Sequence, residues 1–488
     1  MLSILVAHSY FLRFDQKQWE RAKPYPPLAT LHVASMLRRA GHQVAVFDAM
    51  LADGVGDYKR VLESVHPQLV LFYEDSFNFL SKMCLGRMRD ASCEMIALAH
   101  ARSARVIAVG SDATDAPDIY LESGADVVVI GEGLVTLLAL VARLDSVPLL
   151  TISQLVDGQY GVATRTNGKT VATNGARPLP NPLYADPPAW DMIDLEKYRS
   201  MWRQSHGYFS LNMAASRGCS FRCNWCSKPI WGNQYLQRSP RDVAAEMAHL
   251  KRQFEPDHIW FADDIFGFRV DWVNDFAVTV HATNGSLPFT IQTRADLVSD
   301  KMAKALRAAG CAEVWIGAES GSQRILDAMN KGTTVEEILA ARERLRAASI
   351  RVGFFIQLGY LGERLEDILA TRKLIDDAQP DDIGVSVSYP LPGTKFYEQV
   401  KQQLGTKTHW QESNDLEMMF HGAYQSDFYR AVRDLLHEQV DLQKRNGAVQ
   451  HEQRNGERQL FARRWQMLLA REFTYRSADE QNVAAGSR

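Results

Sequence analysis

The stretch Ser216-Arg217-Gly218-Cys219-Ser220-Phe221-Arg222-Cys223-Asn224-Trp225-Cys226 gathers three of the chain's six cysteines into eight positions, spaced C-x3-C-x2-C. A loop this short can turn three thiolates toward one point. Three thiolates are one fewer than a closed tetrahedral zinc site or a fully cysteine-ligated 4Fe-4S cluster needs. The set therefore suits a cube with one iron left open for a substrate or cosubstrate, and Trp225 would put a flat apolar ring beside that iron. On spacing alone, a zinc loop completed by a nearby histidine such as His206 stays open as the alternative.

Downstream of this loop, six strand patterns alternate with helical ones: Phe209–Ala215, Asp257–Ala262, Pro288–Thr293, Ala312–Gly317, Arg351–Leu358 and Asp382–Ser388. Ser239-Pro240, Ser299 and Thr334 mark helix starts. Repeated strand–helix units over residues 206–404 predict a parallel α/β array, in which chemistry sits at the carboxyl ends of strands. Polar groups fall at all six ends. They are the cysteine loop, Asp263-Asp264, Gln292-Thr293-Arg294, Glu319-Ser320-Gly321-Ser322, then Gln357 with Gly359 and Gly362-Glu363, and Tyr389 to Thr394. A purely structural barrel would not need such a rim. Cys311 follows Gly310 at a strand start and reads as core.

Upstream, residues 1–148 carry the apolar runs Ser3–Ala7, Gln43–Phe47, Gln68–Tyr73, Arg105–Val109 and Asp126–Ile130. They are continuous rather than alternating, as strands buried on both faces should be. With helical patterns at Leu28–Ala40 and Phe79–Arg102 between them, they predict a doubly wound parallel sheet with a ligand crevice at its strand ends. A dinucleotide needs a glycine-rich turn after the first strand. That place holds His8-Ser9-Tyr10-Phe11-Leu12, and Gly131-Glu132-Gly133 lacks a third glycine at Thr136, so NAD and FAD are excluded. His8 sits at a strand end, where it reads as a ligand-facing or a loop residue.

Residues 149–205 read as a connector. Tyr160–Thr166 and Lys169–Thr173 flank Asn167-Gly168, a type I′ hairpin signal, and Pro178, Pro180, Pro182, Pro187 and Pro188 make a stiff strap. Residues 405–488 hold helical patterns at Ser426–Lys444 and Arg458–Phe473, able to cap the open side of the second unit, and a polar tail from Ser477. Arg463, Arg464 and Arg471 read as a solvated face, with an anion site as the other reading.

The whole chain has ordinary composition, 46% hydrophobic and 23% charged with a net charge of −3, so nothing points to nucleic acid or an anionic membrane surface. Residues 1–20 lack the features of a signal peptide, and no apolar run reaches membrane-span length. Unpaired cysteines fit a reducing cytoplasm.

C-x3-C-x-aromatic-C resembles the signature of the radical S-adenosylmethionine (radical SAM) enzymes, whose open iron is chelated by SAM and whose fold is a partial six-stranded α/β barrel. The resemblance implies Cys219, Cys223 and Cys226 as 4Fe-4S ligands and Trp225 as an adenine neighbour. Ala262-Asp263-Asp264-Ile265 is close to the cobalamin-dependent pattern after the second strand, and Gly317-Ala318-Glu319-Ser320-Gly321-Ser322 matches the fourth. Asp263, Asp264, Arg294, Glu319, Ser320 and Gln357 are then the candidate SAM contacts. For Arg294, a salt bridge to Asp296 or Asp300 is the equal alternative. Leu361 stands where relatives often have proline.

A doubly wound unit before such a barrel resembles the cobalamin-binding domain of cobalamin-dependent radical SAM enzymes, on Pro26-Pro27-Leu28-Ala29, Arg39-Ala40-Gly41-His42 and Gly131-Glu132-Gly133. None of the 13 histidines has Asp two places before it, so the Asp-x-His-x-x-Gly lower ligand of many cobalamin domains is missing. Either no histidine lies below cobalt or the domain no longer holds cobalamin. Cys84 and Cys93 do not form the N-terminal cysteine set of methylthiotransferases. The resemblance implies a cobalamin-dependent methyltransferase acting on an unactivated carbon of a small molecule or natural product. It would be fed electrons by an external donor such as flavodoxin or ferredoxin. Alternatives are a cyclase or oxidoreductase of the same architecture, like the anaerobic magnesium-protoporphyrin monomethyl ester cyclase, and a cobalamin or iron–sulfur sensor without turnover.

Overall fold

The apolar runs of the first 130 residues are strands: β1 (Ser3–Ala7), β2 (Gln43–Phe47), β3 (Leu69–Tyr73), β4 (Arg105–Val109) and β5 (Val127–Val129). They pair in parallel in the order β2-β1-β3-β4-β5. β3 is buried along its whole length, as its continuous apolar sequence requires. The hairpin forms as β6 (Val162–Thr166) and β7 (Lys169–Ala172), with Asn167 at φ 51° and Gly168 at φ 75° in the two left-handed turn positions. β6 pairs antiparallel with β5. The hairpin thus extends the first sheet, where the sequence suggested part of a connector. These are the coordinates of a computed structural model, which describes residues 1–78, 86–147, 149–173, 186–226, 234–405, 416–445 and 451–477. Cys84, Pro178, Pro180, Pro182, the first part of the Phe79–Arg102 pattern and the tail beyond Ser477 lie outside the described residues.

The strand order reverses between β1 and β3, which opens a crevice at their carboxyl ends. There the Ser9 N–H donates to both carboxylate oxygens of Glu74 at 3.1 Å, and burial of Glu74 raises its pKa. The place a nucleotide phosphate would take is held by a carboxylate of the chain itself. This agrees with the missing glycine-rich turn.

The second sheet contains β8 (Ser210–Met213), β11 (His258–Phe261), β12 (Phe289–Thr293), β13 (Cys311–Glu319), β14 (Arg351–Leu358) and β15 (Asp382–Val387). All pairs are parallel and the order is sequential, as six successive βα units predict. Helix starts are capped where expected. Ser239 accepts from Asp242 N–H, Ser299 from Met302 N–H, and Thr334 forms a capping box with Glu337. Burial alternates along much of β13, whereas β14 is buried except at Arg351 and Phe355. Val314, Ile316, Val352 and Phe354 are fully buried, whereas Trp315 and Phe355 between them are half-buried and line a cavity. One face of the sheet is core and the other looks into open space.

Both outer edges of this sheet are covered. Beside β15 packs the helix Ser426–Lys444, where Gln439 Nε2 donates to Arg372 O at 3.3 Å and buried Val432, Leu436 and Val440 face inward. Against β8 lies a segment from the N-terminal part of the chain. Trp202 Nε1–H donates to Pro24 O at 2.7 Å, Asn212 Nδ2 donates to Pro26 O at 3.0 Å, and the Tyr25 hydroxyl lies 3.1 Å from Ser210 Oγ. A last helix, His451–Ala470, packs on the Ser426–Lys444 helix. Arg463, Arg464 and Arg471 are exposed, and Arg464 pairs with Glu438, which is the solvated-face reading. Among the described residues no helix is long and apolar enough to cross a membrane.

Candidate active site

The cysteine loop grows out of a short strand, β9 (Ser216–Gly218), paired antiparallel with β10 (Tyr235–Gln237). Gly218 has φ 79°, a left-handed turn that glycine adopts without strain, and it delivers the chain into Cys219. Two carboxylates hold the loop's stem. Asp263, fully buried, accepts from Ala215 N–H at 3.0 Å and from Ser216 Oγ–H at 2.5 Å, and Asp264 accepts from Gly218 N–H at 3.1 Å. Burial pushes the Asp263 carboxyl up to about 7. Cys219 is buried, Cys223 and Cys226 are half-buried, and all three line the cavity.

Among the described residues no three His, Cys, Asp or Glu side chains are drawn together as a single ion requires. A cube asks for something different, since each of its irons takes its own thiolate. His206, the zinc alternative's fourth ligand, lies with Nε2 3.0 Å from Arg21 O and 3.1 Å from Ala22 O. That nitrogen donates to backbone carbonyls and is not available as a ligand. The donor set therefore fits a three-cysteine cluster.

The cavity has a volume of about 2310 Å³ and runs from the cysteine loop down the inner face of the second sheet. Of the expected rim residues, Trp225, Asp264, Arg294, Glu319 and Gln357 line it. Asp263 and Ser320 are not among its lining residues. Asp263 is committed to the stem as above. Ser320, fully buried, lies 3.2 Å from Thr371 Oγ1 and accepts from Ser322 N–H. Glu363 is also turned inward, accepting from Gly359 N–H at 2.6 Å, and burial pushes it up to about 8.

Arg294 takes its salt-bridge alternative. Its Nε and Nη2 donate to the two Asp296 oxygens at 2.9 and 3.1 Å, while the guanidinium lies 3.7 Å over the Phe221 ring. Its Nη1 points at Cys223 Sγ, 3.7 Å away. Glu319 stands at φ 60°, where β13 shifts register against β14, and accepts from Lys331 Nζ at 2.8 Å. A non-glycine residue held left-handed at a strand end is strain of the kind that concentrates at functional sites. Trp225 Nε1 and Gln357 Oε1 are buried with no hydrogen-bond partner among the described residues, so two polar atoms at this end of the cavity are left for a ligand.

The rim of the first sheet faces this one. Arg217, two residues before Cys219, pairs with Glu132 of the Gly131-Glu132-Gly133 turn at 2.6 Å, reaches Ser76 Oγ, and lies 4.5 Å over the Phe77 ring. Both charged side chains are under 5% exposed. On the first sheet's side of the cavity, Tyr10, Leu12, Met50 and Phe77 give apolar surface beside charged Asp15, Lys17, Glu20, Arg21, Lys23 and Asp75. His8 is fully buried with Nε2 3.0 Å from both Asp48 Oδ1 and Ala49 N. Burial works against its charge, but Asp48, Glu74 and Asp75 together raise its pKa.

Residues 213–375 match the Radical SAM superfamily, a span that runs from the end of β8 through β14 and includes the cysteine loop. The chain carries a radical SAM domain. An uncharacterized methyltransferase of Pyrococcus horikoshii is 26% identical over 76% of this chain and 78% of the relative. The anaerobic magnesium-protoporphyrin IX monomethyl ester cyclase of Rubrivivax gelatinosus is 25% identical over 80% and 68%. The radical SAM methyltransferase TsrM of Kitasatospora setae, solved with cobalamin and a 4Fe-4S cluster, superposes with a TM-score of 0.63 at 19% identity, covering 83% of this chain and 78% of that one. That likeness is one of fold, and it spans both sheets.

Sequence reading missed several residues of this site. Lys331 sits in a turn, Asn330-Lys331-Gly332, that carries no signal of burial, yet its side chain is 7% exposed and pairs with Glu319. Arg217 is inside the quoted stretch but has no recognisable motif role. The segment from Tyr10 to Tyr25 also lines the cavity, and only Tyr25's neighbouring prolines hint at a fixed path.

Proposed function

We propose that this radical SAM enzyme is a cobalamin-dependent methyltransferase acting on an unactivated carbon of a small molecule. The observation that carries the reading is one continuous cavity lined by the cysteine loop on one side and by strand-end residues of the first sheet, Tyr10, Met50, Asp75 and Phe77 among them, on the other. The chain then divides into a cobalamin-binding unit (1–148), a hairpin and strap (149–205), the radical SAM unit (206–404) and a helical cap (405–488).

When bound, the cluster and SAM supply a 5′-deoxyadenosyl radical and cobalamin supplies a methyl group; positioning and exclusion of water and oxygen fall to the protein. Cys219, Cys223 and Cys226 hold the cluster. Trp225 offers SAM a flat ring with an indole N–H, Gln357 an amide, and Asp264 and Glu319 carboxylate edges. Arg294 keeps a positive charge beside Cys223. Asp263 and Ser320 brace the backbone of the rim. Tyr10, Leu12, Met50 and Phe77 offer a large flat cofactor apolar contact, and His8 has Nε2 held by Asp48 and Ala49 and Nδ1 without a partner among the described residues. Electrons come from an external donor such as flavodoxin or ferredoxin, in a reducing compartment such as the cytoplasm.

The likeness to the protoporphyrin cyclase over most of its length favours a second reading, radical cyclisation or oxidation with the same parts. Anaerobic reconstitution with SAM, cobalamin and a reductant, assaying 5′-deoxyadenosine and S-adenosylhomocysteine together, separates the two. Methyl transfer makes both products. 5′-Deoxyadenosine alone refutes the methyltransferase, and neither product refutes the radical SAM chemistry.

A further inference from the structure

The inner face of the second sheet has three levels. At its base a row of polar side chains crosses the strands and satisfies itself. Tyr25 OH lies 3.1 Å from Ser210 Oγ, Ser210 Oγ lies 2.8 Å from His258 Nδ1, and His258 Nε2 lies 2.9 Å from Thr290 Oγ1. Thr290 in turn donates to Glu313 Oε2 at 3.4 Å, and Arg351 pairs with Glu313 at 3.4 Å. At the top is the rim that carries Gln357 and Glu319. Between them lies a level built from two aromatic rings and glycines.

The register pairs Trp315 of β13 with Gly353 of β14, and Phe355 of β14 with Gly317 on one side and Gly384 on the other. All these positions face the cavity side of the sheet. Gly353 is not in the left-handed region, so glycine is there for space. A Cβ on it would stand 2.6 Å from the fused bond of the Trp315 ring. A Cβ on Gly384 would touch both rings at 3.5 Å. With no side chain beneath it, the indole lies down on the sheet instead of standing into the cavity. Its Nε1–H is tied in plane to Glu313 Oε2 at 3.4 Å, and Phe355 stacks beside it at 4.9 Å with 29° between planes. Both rings remain half-buried.

A packed barrel would fill this level with branched aliphatic side chains. Here glycines flatten two aromatic rings into a floor and leave the volume above it empty. Resting on the radical SAM reading of the same cavity, we infer that the substrate carries a flat conjugated ring that lies on the Trp315–Phe355 floor. From Phe355 to Gln357 is two residues, about 6–7 Å along the strand. A ring on the floor therefore lies directly under the cofactor rim, with an edge presented to it. The polar row beneath, its members paired with one another, makes no demand on the ligand.

The test uses the anaerobically prepared holoenzyme and two uncharged probes of similar size, benzyl alcohol and its saturated counterpart cyclohexylmethanol, with binding read by calorimetry. Benzyl alcohol is expected to bind several-fold to about tenfold more tightly, the order contributed by an offset-stacked aromatic pair. Trp315→Ala should erase that preference and Trp315→Phe should keep most of it. Gly353→Ala, which pushes the indole off the sheet without removing it, should also lose it. Equal affinity for the two probes in the wild type, or an unchanged preference in Trp315→Ala, overturns the proposal. The radical SAM reading is judged separately by reductive formation of 5′-deoxyadenosine in the wild type without substrate. If that fails, the binding comparison still decides for or against the floor.

Discussion

The buried pair of Glu319 and Lys331 offers a test in which removing both charges costs less than removing one. The charged atoms are 2.8 Å apart and the side chains 6% and 7% exposed. Removing one partner strands the other charge in a poorly solvated place, which typically destabilises by about 3–5 kcal/mol. Glu319→Gln and Lys331→Met should each show a loss of this order. The double variant leaves no charge stranded and should recover most of it. The assay is the urea midpoint at pH 7. With a slope of about 2–3 kcal/mol/M the single variants should fall by roughly 1–2 M. Unchanged midpoints in both single variants, or a double variant as weak as their sum, would refute the reasoning.

Other outcomes follow from the same geometry. Anaerobic protein should hold about four irons, lost on replacing Cys219, Cys223 or Cys226 by alanine and kept on replacing Cys93 or fully buried Cys311; stoichiometric zinc without iron–sulfur absorbance would contradict this. Bound cob(II)alamin should give an electron paramagnetic resonance spectrum without superhyperfine splitting from an axial nitrogen, because His8 Nε2 is taken by Asp48 and Ala49; such splitting would reassign His8. His258 is pushed down to about 4, first by burial and then by the charge of Lys23. Its folded pKa lies below the unfolded value near ~6.5, so the unfolded chain binds the extra proton between these values. This contribution is complete above pH 6.5 and lost as pH falls toward 4. His258→Gln should flatten the fall in urea midpoint between pH 7 and pH 5, and an unchanged slope would remove His258 from the account.

What was legible in the sequence was whatever depends on local pattern. Continuous apolar runs gave β1 to β5 within a residue or two, because a strand covered on both faces has no polar positions to blur its limits. Caps at Ser239, Ser299 and Thr334 could be read because a helix start needs a specific side-chain oxygen. The cysteine loop was legible for the same reason: its chemistry is written in consecutive residues. Direction was not. Asp263 and Asp264 are neighbours, and only the pleat decides that one braces Ser216 while the other meets the cavity. Ser320 follows Glu319 into the core by the same alternation. Lys331 and Arg217 were out of reach because each owes its importance to a partner far along the chain, Glu319 across a helix and Glu132 across two units. β13 ran past its expected end to Glu319 because a register shift against β14 keeps the pairing going through a residue at positive φ.

The segment from Arg21 to Pro26 ties an earlier part of the chain to a later one. Its carbonyls receive Trp202 Nε1–H, His206 and Asn212 Nδ2, and the Tyr25 ring lies 5.2 Å from Trp202 and 5.8 Å from Trp260. On a ribosome this stretch emerges more than 170 residues before the side chains that will hold it. The first sheet can assemble early, since its strands are close in sequence, but its own loop must wait with Tyr25 and two prolines undocked. Closing so long a loop adds little entropy per extra residue, yet it fixes an order of events. The radical SAM unit acquires the cover of its β8 edge from a part of the chain synthesised long before it. A fragment beginning at residue 206 would present that edge bare, with Trp260 missing its tyrosine neighbour, and should aggregate where the full chain does not.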